Sequence, residues 1–315
     1  MAFFLVTGGA GFIGSHIVQE LLRRKHRVRV LDNFSTGTRK NLSGFLDKID
    51  LLEGDIRDIA AVRKAVDGID YVLHQAALAS VERSIDDPLE TNEVNVQGTL
   101  QLLEAARRAS VRRFVLASSS SVYGLSQRLP KRETMKPNPL SPYAITKLAA
   151  EKYCQVFFDL YGLKTTCLRY FNVFGPGQDP NSHYAAVIPK FILAMMNHRS
   201  PTIFGDGEQS RDFTYVSNAV QANILACTAR ATPGQVINIA CGRRYTVNTL
   251  FANLRNLIDV PLSAGHTHSR PGDIRHSLAD ISKARGLMGY QPKIDFEEGL
   301  KKTVAWFKKE HRFRP

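Results

Sequence analysis

The chain has 315 residues, enough for one large domain and a smaller partner. Its 43% hydrophobic and 23% charged residues are typical of a globular protein, and no apolar run approaches the roughly 20 residues of a membrane helix, so we expect no membrane association. The net charge of +13 raises the question of a nucleic-acid partner, but the basic residues form short scattered clusters outside any known binding module, which favours a solvated surface and no nucleic acid.

The 4 cysteines contain no CxxC pair and predict free thiols in a reducing cytoplasm. The N-terminal apolar stretch ends in a glycine loop and predicts a buried strand, not a signal peptide.

Strand-like and helix-like segments alternate through the first 170 residues. The predicted strands are Phe3–Thr7, Arg27–Leu31, Ile49–Glu53, Tyr71–His74, Arg113–Ala117 and Lys164–Arg169. The clearest helical patterns are Gly11–Arg24, Pro88–Ala109 and Pro142–Tyr161. This alternation predicts an α/β fold with a doubly wound parallel sheet.

The alternation breaks after Phe171, where residues 174–184 are rich in glycine, proline and polar side chains and predict a long functional loop. Segments Phe213–Thr228 and Gln235–Ala240 have the pattern of a helix and strands that return to the sheet. The remainder, 241–315, predicts two or three amphipathic helices and a polar loop at Ser263–Asp273.

A glycine-rich turn follows the first predicted strand. Gly8, Gly11 and Gly14 stand at GxxGxxG spacing between this strand and a helix, as in a Rossmann dinucleotide site, where a pyrophosphate lies on the helix N-terminus. Asp32, at the end of the second strand, is placed to accept hydrogen bonds from both adenine-ribose hydroxyls and would repel a 2′-phosphate. These features together predict NAD, and not NADP, as the cofactor.

Other cofactor contacts are expected after the next strands. Asp55 and Ile56 stand where the adenine ring should lie, and small residues after the fourth strand allow the backbone to approach the cofactor. The full set of predicted NAD-binding residues is Gly8, Gly11, Phe12, Ile13, Gly14, Asp32, Asn33, Ser35, Thr36, Gly37, Asp55, Ile56, Gln75, Ala76, Ala77, Tyr143, Lys147 and Tyr170.

A serine-rich turn and a YxxxK pair supply the expected chemistry. Ser141 is a good N-cap for a helix on which Tyr143 and Lys147 stand four residues apart and share one face. A free phenol has a pKa of about 10, and a nearby ammonium together with a positive nicotinamide ring favours the phenolate, so we expect a lowered pKa at Tyr143. A serine from ASSSSVYG can hold the substrate oxygen in line with the phenolate.

Eight segments together resemble the extended short-chain dehydrogenase/reductase family, and within it the UDP-N-acetylglucosamine 4-epimerases: TGGAGFIG, LDN, GDIRD, ASSSSVYG, SPYAITK, LRYFNVFGPGQDP, SRDFTYV and RPGDIRHSLAD. The resemblance covers nearly the whole chain and implies Ser119, Tyr143 and Lys147 as the catalytic residues. Dehydratases and decarboxylases of the family carry an acidic residue shortly before VYG, whereas this chain has Ser120 and Ser121 there, which favours simple epimerisation.

Residues 1–172 with 213–240 are expected to form the NAD-binding domain, and 173–212 with 241–315 a smaller α/β UDP-sugar-binding domain.

The resemblance also implies a substrate clamp. Arg211 and Arg270 match diphosphate ligands, and bidentate arginines suit that charge. The full set of implied substrate residues is Ser80, Ser119, Ser120, Tyr143, Asn172, Gln178, Ala186, Val187, Thr202, Phe204, Arg211, Arg270, Asp273 and Ser277. No metal is expected, because His266 and His268 have no third ligand at a suitable spacing.

The substrate preference depends on Ser277. Family members confined to glucose and galactose carry a tyrosine there, next to the sugar's 2-position, so a serine leaves room for an N-acetyl group. The resemblance therefore implies interconversion of UDP-GlcNAc and UDP-GalNAc through a 4-keto intermediate with tightly bound NAD. The alternatives are a UDP-glucose/UDP-galactose 4-epimerase, a UDP-uronate 4-epimerase and a non-catalytic NAD-binding regulator. The presence of both Tyr143 and Lys147 argues against the regulator. The family's dimers pair helices that correspond to Pro88–Ala109 and Pro142–Tyr161, so a homodimer is expected.

Overall fold

The computed structural model describes residues 1–180, 186–268 and 274–310. Its strands are β1 (Phe3–Thr7), β2 (Arg27–Asp32), β3 (Asp50–Glu53), β4 (Tyr71–His74), β5 (Arg113–Ser119), β6 (Thr165–Tyr170), β7 (Val173–Phe174), β8 (Thr202–Phe204), β9 (Ser210–Arg211), β10 (Thr214–Tyr215), β11 (Gln235–Ile239), β12 (Tyr245–Thr246) and β13 (Gly265–Thr267). Its α-helices are α1 (Phe12–Arg23), α2 (Ile59–Val66), α3 (Val81–Asp86), α4 (Pro88–Asn92), α5 (Thr99–Arg108), α6 (Pro142–Tyr161), α7 (Val187–Met196), α8 (Val216–Thr228), α9 (Val247–Ile258), α10 (Ser282–Met288) and α11 (Phe296–Glu310).

Seven strands form one parallel sheet in the order β11–β6–β5–β4–β1–β2–β3. Every residue of β1 and β6 is buried, because helices cover both faces of a parallel sheet and its strands are continuous hydrophobic runs. The prediction of a doubly wound α/β fold is confirmed, and all seven strands of the sheet coincide with predicted strands to within one or two residues.

The strand order reverses beside β1. The chain moves from β1 outward to β3 and then returns to β4 on the other side of β1. The loops after β1 and β4 therefore diverge and leave a crevice at the carboxyl ends of the strands, where doubly wound folds bind their ligands.

Helix α6 shows how local sequence sets an element that carries site residues. The Ser141 hydroxyl accepts a hydrogen bond from the Ala144 N–H at 3.2 Å, Pro142 occupies the first turn, and Gly162 ends the helix in the left-handed conformation at φ 70°. Both helix ends are as the sequence predicts. The predicted helix Pro88–Ala109 is also found, but as α4, a π-helical turn at Glu93–Gly98, and α5.

Several elements were not identified from the sequence, among them α2, α7 and β13. Helix α2 lies between β3 and β4, and α7 begins soon after the predicted long loop. Strand β13 lies within the predicted polar loop and pairs in parallel with β8. His266 is on this strand, not in a loop, and its Nδ1 lies 2.9 Å from the Gly205 carbonyl oxygen.

The hydrophobic core is shared by the two predicted domains. One cluster of buried side chains contains both Phe4 of β1 and Phe307 of α11. Within the described residues, no helix is both long and apolar enough to cross a membrane.

Candidate functional site

A large cavity of about 1010 Å³ opens at the carboxyl ends of the sheet strands. Its lining begins with the glycine turn between β1 and α1. An added Cβ would lie 2.7 Å from the Ala76 nitrogen at Gly8, where φ is also +66°, and 2.1 Å from the Gly8 oxygen at Gly14. Glycine is therefore required at both positions, so that the turn can pack against the loop after β4 and the helix against the turn.

The N-terminus of α1 faces this cavity. Its N-cap, Gly11, has no side-chain oxygen, and no side chain caps the helix. Residues Gly11–Gly14 line the cavity. The first N–H groups of a helix have no partner within it and carry partial positive charge, so this end of α1 has the chemistry of a phosphate site.

The side chain of Asp32, at the end of β2, contacts the backbone of the glycine turn. Its side chain is 7% exposed, and its two carboxylate oxygens accept hydrogen bonds from the N–H groups of Ala10 and Phe34, each at 2.8 Å. Burial raises the pKa of Asp32, and the two hydrogen bonds oppose that shift. The carboxylate lines the cavity, and each oxygen keeps acceptor capacity for a further donor.

The structure gathers nearly all predicted cofactor residues around the cavity. The members that line it are Gly8, Gly11, Phe12, Ile13, Gly14, Asp32, Asn33, Ser35, Thr36, Asp55, Ile56, Gln75, Ala76, Ala77, Tyr143, Lys147 and Tyr170. Gly37 does not line it, because its Cα lies against the backbone of Ala10, where a Cβ would be 2.7 Å from the carbonyl carbon. The Asp55 carboxylate is held by Arg57 and Asn33, and the hydrogen bonds from Arg57 lower its pKa to about 2.

The three predicted catalytic residues meet in the same cavity. Ser119 ends β5, while Tyr143 and Lys147 lie one turn apart on α6, and all three line the cavity. Lys147 is buried, its Nζ donates a hydrogen bond to the Ala117 carbonyl at 2.9 Å, and the same Nζ lies 5.9 Å from the centroid of the Tyr143 ring. The sheet edge and one helix face thus bring hydroxyl, phenol and ammonium together.

Burial dominates the acid–base state of Tyr143 and Lys147. Burial raises the pKa of Tyr143, and a hydrogen bond with the Ser119 hydroxyl lowers it by a smaller amount. Burial also lowers the pKa of Lys147 to about 8, against the opposing influence of the Glu151 carboxylate. For the protein's own residues, desolvation of the phenolate outweighs the hydrogen bond with Ser119, so the predicted lowering of the Tyr143 pKa depends on the positive nicotinamide ring.

A second cavity continues the first on its substrate side. The two share Asn172, Val173, Gln178, Ala186, Val187 and Arg211. Thr202 and Phe204 line the second cavity, while Ser119, Ser120, Tyr143 and Ser277 line the first. Ser277 is 8% exposed, and its N–H donates to the Ser210 carbonyl at 2.9 Å, which places it beside Arg211.

Three predicted substrate residues remain to be located. Arg270 and Asp273 lie outside the described residues. Ser80 is described but does not line either cavity; its hydroxyl caps α3 by accepting a hydrogen bond from the Arg83 N–H at 3.1 Å. A serine that precedes a short helix is a standard N-cap, so the local sequence already indicated this structural role.

A buried hydrogen-bond chain behind the predicted catalytic residues was not recognised from the sequence. His74 Nδ1 lies 2.7 Å from the Thr7 hydroxyl, and its Nε2 lies 2.9 Å from the Thr99 hydroxyl, which itself donates to the Asn95 carbonyl. Thr99 must then accept from Nε2–H, so Nδ1 accepts from Thr7. Burial, with a smaller contribution from Lys147, lowers the pKa of His74 to about 3, and the ring is neutral at neutral pH.

Asp212, which follows Arg211, was also not recognised from the sequence. Its fully buried carboxylate accepts hydrogen bonds from the N–H groups of Cys241, Gly242 and Ala279 at 3.0 to 3.2 Å. Burial raises its pKa to about 7. Asp212 thereby fixes the end of the strand that carries Arg211 against the loop after β11 and the segment that follows Ser277. Only its position after an arginine in SRDF could have indicated this role.

Fold and site together define a dinucleotide-dependent enzyme of the Rossmann type. The sequence profile of the NAD-dependent epimerase/dehydratase family matches residues 4–240, and the chain belongs to this family. NAD is therefore its cofactor, in agreement with the acidic residue at the end of β2.

Known relatives cover the chain almost completely. A UDP-N-acetylglucosamine 4-epimerase from Methanobrevibacter ruminantium M1, solved with UDP-N-acetylmuramic acid, is 43% identical with a TM-score of 0.94, over 98% of this chain and 99% of that one. A UDP-glucose 4-epimerase from Thermotoga maritima, solved with UDP-glucose, is 40% identical with a TM-score of 0.94 over the same shares. A putative UDP-glucose 4-epimerase from Methanocaldococcus jannaschii is 40% identical over 98% of this chain and 99% of its own length. The protein is thus an isomerase of the NAD-dependent sugar-nucleotide 4-epimerase kind.

Proposed function

We propose that this enzyme interconverts UDP-GlcNAc and UDP-GalNAc. The observation that carries the proposal is Ser277, a small residue in the lining of the cavity that also holds Tyr143 and Ser119. A serine at this place leaves the volume that a bulky side chain would occupy, so an acetamido group on the sugar's second carbon fits beside it.

The cradle at the end of β1 supports the proposed mode of NAD binding. In this proposal the pyrophosphate lies on the N–H groups of Phe12 and Ile13, close to Gly11, and the Asp32 carboxylate accepts from the adenine ribose. An N-terminus without a side-chain cap and a buried carboxylate beside it suit these two parts of a dinucleotide. NAD, when bound, supplies the hydride acceptor and donor and, when oxidised, a positively charged ring.

Ser119, Tyr143 and Lys147 are the proposed catalytic residues. Ser119 holds the oxygen on the fourth carbon of the sugar, and Tyr143 removes the proton from that oxygen and returns it after the sugar has turned over. Since burial alone raises the pKa of Tyr143, its phenolate requires nearby positive charge. The Lys147 ammonium, fixed by the Ala117 carbonyl, contributes part of it.

The proposed substrate clamp grips the nucleotide and leaves the sugar free to turn. Arg211 and Asn172 line both cavities, so they can hold the diphosphate where the cavities join, with Arg270 added to them. Thr202 and Phe204 border the proposed uracil position, and Asp273 the uridine ribose. Gln178, Ala186 and Val187 are the remaining proposed contacts of the substrate.

The proposal keeps the division into an NAD-binding part, 1–172 with 213–240, and a UDP-sugar part, 173–212 with 241–315. All seven strands of the main sheet belong to the first part, which supports the division. We also propose a cytoplasmic location, because the structure has four free cysteines, three of them buried, as expected in a reducing compartment.

We propose a homodimer that pairs the helical stretch Pro88–Ala109, which contains α4 and α5, and helix α6 with their copies. Leu89 is 77% exposed on α4, and Ile145 and Leu160 are 55% and 71% exposed on α6. The two helices pack against each other, so these apolar side chains belong to adjoining surfaces that a partner would cover. Light scattering should give a dimer for the wild type and a monomer for Leu160→Glu; a monomeric wild type would contradict the proposal.

The decisive experiment is incubation of the purified enzyme with UDP-GlcNAc without added cofactor. We expect UDP-GalNAc as the product and bound NAD(H) released on denaturation, because the hydride is returned within each turnover. A need for stoichiometric NAD, with NADH accumulating, would refute epimerisation. Conversion of UDP-glucose but not of UDP-GlcNAc would refute only the proposed sugar and favour the second candidate, a UDP-glucose 4-epimerase, which the likeness to the Thermotoga maritima enzyme supports.

A further inference from the structure

A buried ion pair lies directly behind the proposed catalytic residues. Glu151 is 1% exposed and Arg169 is 3% exposed. Their contact is bidentate, with Arg169 Nε 2.8 Å from Glu151 Oε1 and Nη2 2.7 Å from Oε2. Burying such a pair costs about as much in desolvation as the attraction returns, so it is a weak source of stability. The location of the ion pair behind the proposed catalytic residues therefore indicates a role other than stability.

The pair connects α6 and β5, which carry the proposed catalytic residues, with the neighbouring strand β6. Glu151 lies one helical turn after Lys147 on α6, and Arg169 is on β6. The hydroxyl of Ser118, the residue before Ser119 on β5, donates to Glu151 Oε1 at 2.5 Å. One carboxylate thus holds the ends of two strands against the helix that carries Tyr143.

We propose that Glu151, paired with Arg169, is a positioning residue of this active site that keeps Lys147 charged and aligned against the end of β5. The inference rests on the proposed catalytic function of Lys147. Arg169 compensates the Glu151 charge and locks the carboxylate by its bidentate contact, so the carboxylate is not free to turn away from α6.

The charges around Lys147 determine how the site titrates. Glu151 on the same helix raises the pKa of Lys147, His74 on β4 is neutral, and Tyr143 is one turn away. Without the Glu151 charge, only the Arg169 cation would remain behind the site, and the pKa of Lys147 would fall below about 8.

Other titratable groups lie around the ion pair, and the charges of Glu151 and Arg169 also act on them. The Arg169 guanidinium lies 4.7 Å from the centroid of the Tyr123 ring, and burial, with a smaller contribution from the Arg169 charge, lowers the pKa of the Lys283 ammonium. The neighbouring Cys154 and burial raise the pKa of the Cys167 thiol, and the Glu151 charge adds a smaller contribution. The Tyr123 hydroxyl donates to Asn238 at 2.7 Å, so it is a neutral phenol held in place.

The test is the pH–rate profile of Glu151→Gln. Activity requires protonated Lys147, so the fall in kcat at high pH should begin at a lower pH than in the wild type. We expect kcat near neutral pH to fall by about tenfold or more, while KM for the UDP-sugar changes less than about twofold. Glu104→Gln is the matched control, because Glu104 is also a helical carboxylate paired with arginine, here Arg107 and Arg108, but lies on α5. An unshifted alkaline limb in Glu151→Gln would overturn the proposal.

A double variant separates charge from general damage. Glu151→Gln with Arg169→Met removes both charges, so its alkaline limb should lie between those of Glu151→Gln and the wild type. It also removes the uncompensated cation, so it should fold even if Glu151→Gln alone does not. A limb that coincides with the wild-type limb would mean that the pair does not act on Lys147.

Stability as a function of pH provides a readout that does not depend on activity. The folded-state pKa of Lys147, about 8, lies below its value of 10.5 for a free lysine, so the unfolded chain binds more protons between these pH values. The free energy of unfolding therefore gains a contribution as pH rises through this interval. Comparison with Lys147→Met isolates it, and in Glu151→Gln the gain should begin at lower pH. An unchanged interval would overturn the positioning role, whereas a wild type that does not epimerise UDP-sugars would refute only the proposed function.

Discussion

The proposed nucleotide end and the proposed sugar end of the cavity are built in different ways. At the nucleotide end, Gly8, Gly14 and Asp32 belong to one continuous strand–helix–strand unit, and adjoining elements hold them in contact. At the sugar end, Arg211 and Ser277 come from distant segments that meet through hydrogen bonds such as Ser277 N–H to Ser210. A local unit can be recognised from a motif, whereas a site assembled from distant segments depends on tertiary packing.

The largest effect should follow removal of the phenol where the two ends meet. Tyr143→Phe keeps the shape of the side chain but deletes the group that we propose as the general base. We expect a loss of about 10²–10⁴ in kcat, with little change in the affinity for UDP-sugar. Stopped assays with both acetylated substrates measure this. Turnover near the wild-type level would remove Tyr143 from the mechanism.

The nucleotide end can be tested by two alanine substitutions in the same turn. Gly14→Ala places a Cβ 2.1 Å from the Gly8 oxygen, and the backbone must shift, so we expect poor folding. At Gly11 the nearest contact of an added Cβ is 3.2 Å, so Gly11→Ala should fold but retain less NAD because the methyl group points into the cavity. Thermal melting and the NAD content of the purified variants distinguish the two. Equal melting temperatures would contradict this account of the turn.

The sugar end can be tested by Ser277→Tyr. Filling a formed pocket costs about 1–3 kcal/mol. At about 1.4 kcal/mol per decade, this is roughly 5- to 150-fold in kcat/KM. The loss should fall on UDP-GlcNAc and UDP-GalNAc and spare UDP-glucose and UDP-galactose, which carry only a hydroxyl at the second carbon.

Ser277→Ala is the matched control and should retain the wild-type preference, because it adds no volume. Steady-state kinetics on both substrate pairs give the ratio directly. An equal loss on both pairs in the tyrosine variant would indicate general damage, and no loss on either would place Ser277 away from the sugar.

The smallest effect concerns Ser80, which the family resemblance placed at the substrate. Since its hydroxyl caps α3, Ser80→Ala should lower the free energy of unfolding by about 1 kcal/mol and leave KM for UDP-sugar unchanged. Denaturant melts and steady-state kinetics test the two parts. A raised KM with unaltered stability would restore the substrate role.

The sequence by itself determined the parallel sheet, the glycine turn and the caps of α6. Each is encoded by neighbouring residues: continuous apolar strands, glycines where the backbone approaches closely, and a serine followed by proline at a helix start. It also predicted most residues that line the cavity, because the carboxyl ends of parallel strands meet at one sheet edge. Which of those residues contact NAD or the sugar stays a prediction.

Tertiary structure alone decided the electrostatics of the site. The raised pKa of Tyr143 and the lowered pKa of Lys147 arise from burial, which depends on every element packed around α6. The bidentate contact between Glu151 and Arg169 likewise joins a helix to a strand, and no sequence motif indicates that the two residues meet. Desolvation and long-range ion pairing are properties of the assembled core, so a linear pattern of residues does not contain them.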